Sequence, residues 1–304
     1  MRIVLIGQAA FGERVFVRLR EEGFDIVGVC APATQEGGRP DPLRAATEAA
    51  HLPVLETRRL RRPEVYEQYA ALNPDLNVMA YVTDIIRPNV LELPPLGTIQ
   101  YHPSLLPRHR GISSINWAII QGDTVTGFTI FWVDAGIDTG PILLQREVPI
   151  DPDDTVGSLY FNKLFPLGVE GMVEAVRLVQ EGRAPKIPQD ESRATYEPPC
   201  TEEHTRIDWA APAQQTYDLI RGSNPQPGAV AFFRGRKVKL YDVQRLPDVS
   251  GAPGEVLSVD DAGVTVALSA GGIRLLRVAP EGSGKIAAAA WAREAGVAPG
   301  NRFS

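Results

Sequence analysis

Arg2-Ile-Val-Leu-Ile-Gly-Gln-Ala-Ala-Phe-Gly12 opens the chain, and Asp25-Ile-Val-Gly-Val-Cys30 follows after a spacer of helical length. Residues 2–7 are an unbroken apolar run of strand length. Phe11, Val15 and Leu19 then recur at helical spacing up to Glu22, and residues 25–30 make a second apolar run. Strand, helix and strand in this order form a βαβ unit, which demands a parallel sheet with helices packed on it. The fold class follows: α/β, with Rossmann-like topology. Gly7 and Gly12 invite a dinucleotide-binding reading, which two residues argue against. Ala9 stands where glycine must let the backbone approach a pyrophosphate. Cys30-Ala-Pro has no acidic residue to hold a ribose at the end of the second strand. The glycines are read as packing a helix against a strand, and NAD(P) is not expected.

Working outward, Asp75–Tyr81 reads as another strand, running into Val82-Thr-Asp-Ile-Ile-Arg-Pro88. Gly97-Thr-Ile-Gln-Tyr-His102 is a further strand, stopped by Pro103. Residues two apart in a strand share a face, so Thr98, Gln100 and His102 point one way and Ile99 and Tyr101 the other. An amide and an imidazole together at the end of an apolar strand do not suit a plain core. The strand Thr126–Val133 then leads into the turn-rich Asp134-Ala-Gly-Ile-Asp-Thr-Gly140, which can deliver Asp138 from a strand end. Amide, imidazole and carboxylate converging there suit acyl-group chemistry. The His shuttles protons, the Asp orients it and favours its charged form, and the amide steadies an oxyanion.

Composition narrows the classes. At 304 residues, with 44% hydrophobic and 22% charged residues, the chain has the make-up of a two-domain globular protein. No apolar run reaches the ~18 residues of a membrane span, and the first seven residues are too strand-like for a signal peptide. Cys30 and Cys200 make neither a disulfide framework nor a metal cluster, so a cytoplasmic, metal-free protein is expected. Residues 1–204 hold 19 basic and 28 acidic residues, and residues 205–304 hold 12 and 9. The one basic cluster, Arg234-Gly-Arg-Lys-Val-Lys239, reads as a solvated hairpin face. Nucleic-acid binders carry a larger basic footprint.

Ser113–Gly122 reads as a short helix with a serine start and a glycine stop. Asp153–Glu181 reads as a helical region covering the core through Leu159, Leu164, Met172, Val176 and Val179. Prolines 185, 188, 198 and 199 mark a linker. Beyond it come a helix at Ala213–Arg221 and several short strands split by Gly and Asp, the pattern of a small antiparallel barrel. The expected layout is a catalytic domain at 1–184, a linker at 185–205 and a β-barrel domain at 206–304.

Tyr101-His-Pro-Ser-Leu-Leu-Pro-Arg-His-Arg-Gly111, followed by Asp134-Ala-Gly-Ile-Asp-Thr-Gly140, resembles the folate-dependent formyltransferase family. That family includes methionyl-tRNA and glycinamide ribonucleotide formyltransferases and formyltetrahydrofolate hydrolases. The likeness spans nearly the whole chain. With Ile6–Gly12, Ile115-Asn-Trp117 and Gly171–Leu178, it is nearest the hydrolase domain that begins 10-formyltetrahydrofolate dehydrogenases. The resemblance implies a Rossmann-like domain followed by a barrel resembling an oligonucleotide-binding fold, with 10-formyltetrahydrofolate as formyl donor. It implies that His102 and Asp138 are the essential pair, and that backbone groups of Asp84, Ile85 and Ile86 contact the pterin. Read from residues alone, the 82–88 loop is equally a strand-to-helix connection buried by Ile85 and Ile86. Asn116 falls near the acceptor side by the same resemblance. Amine-formylating members have asparagine two residues before the histidine, and the hydrolase domain has an aliphatic residue. Gln100 keeps the amide with one more methylene, which moves the donor by ~1 Å or more. The acceptor expected first is a small-molecule amine, then water, then methionyl-tRNA, whose transferases carry a basic loop where this chain has only Arg39. A non-catalytic folate-binding module is the remaining alternative.

Overall fold

A computed structural model describes residues 1–304, which divide into two compact units of three segments each. The first comprises residues 1–112, 127–148 and 162–196, and the second residues 113–126, 149–161 and 197–304.

In chain order the elements begin with β1 (Arg2–Gly7), α1 (Ala9–Glu21), β2 (Asp25–Ala31), α2 (Pro42–Ala49) and β3 (Val54–Glu56). Then come α3 (Pro63–Ala71), β4 (Leu76–Ala80), α4 (Pro88–Leu91) and β5 (Thr98–His102). α5 (Ser114–Ile120), β6 (Val125–Trp132), β7 (Ile142–Pro149), α6 (Val156–Leu159) and α7 (Phe165–Gln180) follow. The rest is α8 (Ala213–Gly222), β8 (Ala229–Phe233), β9 (Arg236–Leu240), β10 (Val243–Leu246), β11 (Val256–Asp260) and β12 (Gly263–Ala267). β13 (Gly272–Leu275), β14 (Arg277–Pro280), β15 (Ile286–Ala287) and α9 (Ala288–Ala295) complete it.

The first unit is organised on one seven-stranded sheet, ordered β3-β2-β1-β4-β5-β6-β7. β1 to β5 are parallel, and β6 runs antiparallel to β5. β1 is buried from Ile3 to Gly7, because a parallel strand covered on both faces is apolar on both. Ile3 and Leu5 enter one core with Phe11, Val15, Phe128 and Met172, while Val4 and Ile6 enter another with Tyr69 and Met79. The strand order reverses at β1–β4, the topological switch where ligands seat beyond the carboxyl ends of such sheets.

The turn after β1 is built for packing. A Cβ on Gly7 would stand 2.3 Å from the carbonyl oxygen of Ala80, so only glycine lets β1 and β4 run this close. The Ala9 amide at the head of α1 donates to Asp41 Oδ2 at 2.8 Å, and Asp41 Oδ1 takes the Leu43 amide of α2. A carboxylate from the chain itself thus fills the anion position that a dinucleotide pyrophosphate would need.

The helical region 153–181 is divided: α6, a wider π turn at Tyr160–Leu164, then α7. α7 lies so close to the sheet that a Cβ on Gly171 would meet the Phe128 ring at 2.5 Å. Short elements (β3, α2, α3, α4) and β7 carry too little periodicity to have been read from the sequence. Ser113 is the N-cap residue of α5 as expected, although its hydroxyl accepts from the Cys200 amide rather than from its own helix.

The second unit holds two four-stranded antiparallel sheets, β10-β13-β12-β11 and β15-β14-β9-β8. The chain passes between sheets at β9–β10 and again at β13–β14. The C-terminus ties their other edges, Arg302 bridging Glu255 and Phe303 bridging Phe233. The result is the small barrel the strand pattern implied, with Trp209, Phe233, Trp291 and Phe303 in its core. α9, which the sequence reading passed over, packs its Ala and Trp291 side into that core.

Candidate active site

All the predicted chemical residues lie in the first unit, at the carboxyl end of the parallel strands. Gly7 and Ala80 are in register, as are Met79 and Gln100, so the loop leaving β4 and the end of β5 are neighbours.

His102 ends β5 and is 5% exposed. Its Nε2 lies 2.8 Å from the His109 carbonyl oxygen. A carbonyl only accepts, so Nε2 carries the proton there and the neutral ring keeps its lone pair on Nδ1. Nδ1 stands 3.6 Å from Asp138 Oδ2. Proton exchange is therefore confined to Nδ1, the nitrogen beside the carboxylate.

Asp138 comes from the loop between β6 and β7 and is 8% exposed. Its Oδ2 accepts the Gly111 amide at 2.9 Å, and its Oδ1 is 3.5 Å from Gln100 Nε2. The backbone at Asp138 is left-handed, φ 56°, a conformation Asp tolerates better than most residues but which the surroundings must hold. The loop is internally braced: Asp134 Oδ1 takes the Gly136 amide and the Thr139 hydroxyl. At Gly140 a Cβ would stand 1.7 Å from the Trp132 carbonyl oxygen, so the loop closes only with glycine there.

The predicted trio is brought together, with one shift of emphasis. The extra methylene of Gln100 carries its amide to Asp138. Nε2 must face the carboxylate, because an ionised carboxylate only accepts.

The His102–Gly111 turn is held from several sides. Thr129 Oγ1 donates to the Ser104 carbonyl and takes the Leu106 amide and Gln145 Nε2. Ser104 Oγ donates to the Arg108 carbonyl at 2.7 Å. From the other direction comes a stretch the sequence offered only as a linker. Thr195 Oγ1 takes the His109 amide at 2.8 Å, and Gln189 Nε2 donates to the carbonyls of Asp138 and Gly140 at 2.9 and 2.8 Å. Nothing in the local sequence signals these contacts, which join residues 86 and 51 apart.

At the end of β4, Asp84 pairs with Arg58 at 3.1 Å. Ile86 is 8% exposed, but Ile85 is 93% exposed, so only one of the two isoleucines seals the loop. Backbone N–H and C=O groups of Asp84, Ile85 and Ile86 bond to no other group of the chain. Unpaired backbone groups beside an exposed isoleucine suit a planar, polar-edged heterocycle. Asn116 belongs to the second unit, where its Nδ2 donates to the carbonyls of Gly222 and Gln226.

A cavity of about 670 Å³ lies elsewhere, in the second unit, beside Tyr217, Arg221, Asp242 and Arg245. Its polar groups have partners: Tyr217 with Asp153, Arg221 with Asp218, Arg245 with Gln214. The arrangement suited to acyl chemistry is at His102. No group of three or more His, Cys, Asp or Glu is placed to hold a metal.

Comparison with known proteins bears on the whole chain. The model of the formyl transferase family matches residues 1–176, and that of the formyl transferase C-terminal domain matches residues 199–296. Human cytosolic 10-formyltetrahydrofolate dehydrogenase is 46% identical over 247 residues, covering 80% of this chain but 27% of that protein. The chain thus spans under a third of the length of those dehydrogenases. Methionyl-tRNA formyltransferase of Symbiobacterium thermophilum is 38% identical over 312 residues, covering 100% of this chain and 95% of that one. Among solved structures, HypX from Aquifex aeolicus in complex with tetrahydrofolic acid matches with a TM-score of 0.73 and 22% identity, over 97% of this chain and 47% of that one.

Proposed function

The chain belongs to the formyl transferase family, and from that premise we propose that it takes the formyl group from N10 of 10-formyltetrahydrofolate and passes it to a small-molecule amine. The observation that carries this reading is the buried pair His102 and Asp138, with one ring nitrogen fixed and the other facing a carboxylate. In this reading residues 1–184 hold the catalytic machinery, residues 206–304 form the companion barrel, and the reaction is cytoplasmic.

The acceptor adds its lone pair to the formyl carbon, and the carbonyl electrons move onto oxygen. The proton released by the acceptor passes through His102 Nδ1 to N10 as the C–N10 bond breaks, and tetrahydrofolate leaves. When Nδ1 is protonated, Asp138 balances the imidazolium, which in turn stabilises the oxyanion. The 3.6 Å separation is an ion-pair distance rather than a hydrogen bond, of the kind that tightens in a Michaelis complex. The pterin fits at backbone groups of Asp84, Ile85 and Ile86.

A second reading has water as acceptor, giving formate. It is favoured by Gln100, whose amide is turned to Asp138 and away from the role the amine-formylating members give their asparagine. Methionyl-tRNA ranks third, given the acidic first 204 residues.

Release of tetrahydrofolate from 10-formyltetrahydrofolate, followed by absorbance without acceptor and then with a panel of amines and methionyl-tRNA, tests the proposal. Turnover only with an amine supports it. Equal turnover without any amine replaces it with hydrolysis, and no turnover under any condition overturns both.

A further inference from the structure

We propose that Gln189 is a positioning residue for Asp138, and that the stretch from Gln189 to Thr195 clamps the two loops that carry the reacting groups. It rests on the formyl-transfer reading only for its kinetic consequence.

The amide of Gln189 has no freedom to turn over. Arg110 Nη2 donates to its Oε1 at 2.8 Å, and a guanidinium has nothing but donors. Both hydrogens of Nε2 are therefore aimed at the carbonyls of Asp138 and Gly140, at 2.9 and 2.8 Å. Those two carbonyls belong to the left-handed residue Asp138 itself, φ 56°, and to Gly140 just after it, so the amide holds the chain where it leaves the turn. That turn swings the carboxylate onto the Gly111 amide and against His102 Nδ1.

Arg110 is itself held. It is 7% exposed, and Glu191 grips it with both carboxylate oxygens, Oε2 on Nη1 at 2.9 Å and Oε1 on Nη2 at 2.6 Å. Two parallel bonds fix the plane of the guanidinium as well as its position. Thr195 closes the other end of the clamp. Its Oγ1 takes the His109 amide, its carbonyl takes the Arg110 amide, and its own amide donates to the Pro107 carbonyl. His109 is the residue whose carbonyl orients His102. One short stretch thus touches the backbone that sets Asp138 and the backbone that sets His102.

The test compares Gln189→Leu and Gln189→Glu in the full chain. Leucine removes all the hydrogen bonds. Glutamate keeps the size and an acceptor for Arg110 but, ionised, offers no donor to the two carbonyls. Both variants are expected to lose ~10- to 100-fold in kcat, the effect of displacing an oriented group by about 1 Å. KM for 10-formyltetrahydrofolate should stay near wild type; both variants should unfold at a lower temperature, because two carbonyls lose their donors, so kcat is read per folded molecule. Independently of turnover, the Gly111 amide resonance should move upfield and exchange faster in both variants, since its acceptor is Asp138 Oδ2. An unshifted Gly111 amide, or wild-type kcat in Gln189→Glu, overturns the proposal. A wild-type protein that fails to cleave the folate while Gly111 still responds in the variants would overturn the formyl-transfer reading and leave the positioning role standing.

Discussion

The imidazole of His102 can exchange protons at one atom only, because the His109 carbonyl occupies the other. In the proposed reaction, catalysis then depends on what faces Nδ1. Asp138→Asn tests this with little change of shape. Its side-chain oxygen must stay on the Gly111 amide, so its new NH2 faces the Gln100 NH2, donor against donor, and no anion remains beside the ring. The expected loss in kcat is ~100-fold or more, comparable to removing a general acid–base partner; steady-state turnover within threefold of wild type would refute the assignment. Gln100→Asn makes the complementary change. Shortening the side chain withdraws the amide from Asp138 toward the place where an oxyanion donor is needed, so the ratio of amine formylation to formate release should rise. Product analysis on a mixed reaction reads that ratio directly. That these three residues come together was legible in the sequence, because Gln100 and His102 share one face of a strand and the turn-rich loop after the next strand can bring Asp138 to its end. A histidine at a strand end alone is usually a satisfied polar residue, and it was the motif around it that singled it out. The direction of the Gln100 amide was not. A shift of one methylene changes its partner, and only the left-handed turn at Asp138 reveals which partner it reaches.

At the scale of elements, the sheet was readable from the first βαβ unit, because buried parallel strands are continuous apolar runs. The stretch after α7 was unreadable for the opposite reason. Residues 182–200 have no period, and prolines with polar residues describe a linker as well as a clamp. What makes the difference is where Gln189, Glu191 and Thr195 find their partners, 49 to 88 residues away. The clamp has an acid limit. Arg110, hydrogen-bonded to Glu191, holds that carboxyl below its ordinary 4.5. A carboxylate lowered in the folded state contributes stability above its unfolded pKa, and this contribution is lost as pH falls through the folded value. The difference in thermal midpoint between wild type and Glu191→Gln should therefore be steady at neutral pH and shrink below about pH 4.5; a non-zero difference that stays constant down to pH 3 (roughly, the lower edge of Glu titration) would show that the contribution does not come from the ionised pair. A different kind of residue is Asn116. Its amide is spent on the carbonyls of Gly222 and Gln226, and a Cβ on Gly222 would stand 2.6 Å from Ile120 Cγ1, so α5 and α8 are closely packed there. Asn116→Ala leaves two carbonyls unpaired and should cost about 1–3 kcal/mol of stability, seen in denaturant unfolding, with kcat unchanged per folded molecule.

For the whole molecule, charge argues about partners where fold cannot. One relative, a methionyl-tRNA formyltransferase, is 38% identical over the whole of this chain and 95% of its own. Net charge here is −6, and the first 204 residues hold nine more acidic than basic groups, 28 against 19. The basic cluster in the second unit is also less available than its sequence suggests. Lys237 and Lys239 are both paired with Glu202, and Arg234 donates to the carbonyls of Ala295 and Gly296. A protein that neutralises several phosphates loses affinity steeply with salt, by ~10³ or more between about 50 and 200 mM when six or more contacts are made. A small amine or water involves no such release of counterions. Tetrahydrofolate release at saturating folate should change by no more than about twofold over that salt range, and added methionyl-tRNA should leave the rate where it was. A steep fall with salt that appears only when the tRNA is present would identify the nucleic acid as acceptor, and would place its contacts on groups other than the lysines already bound to Glu202.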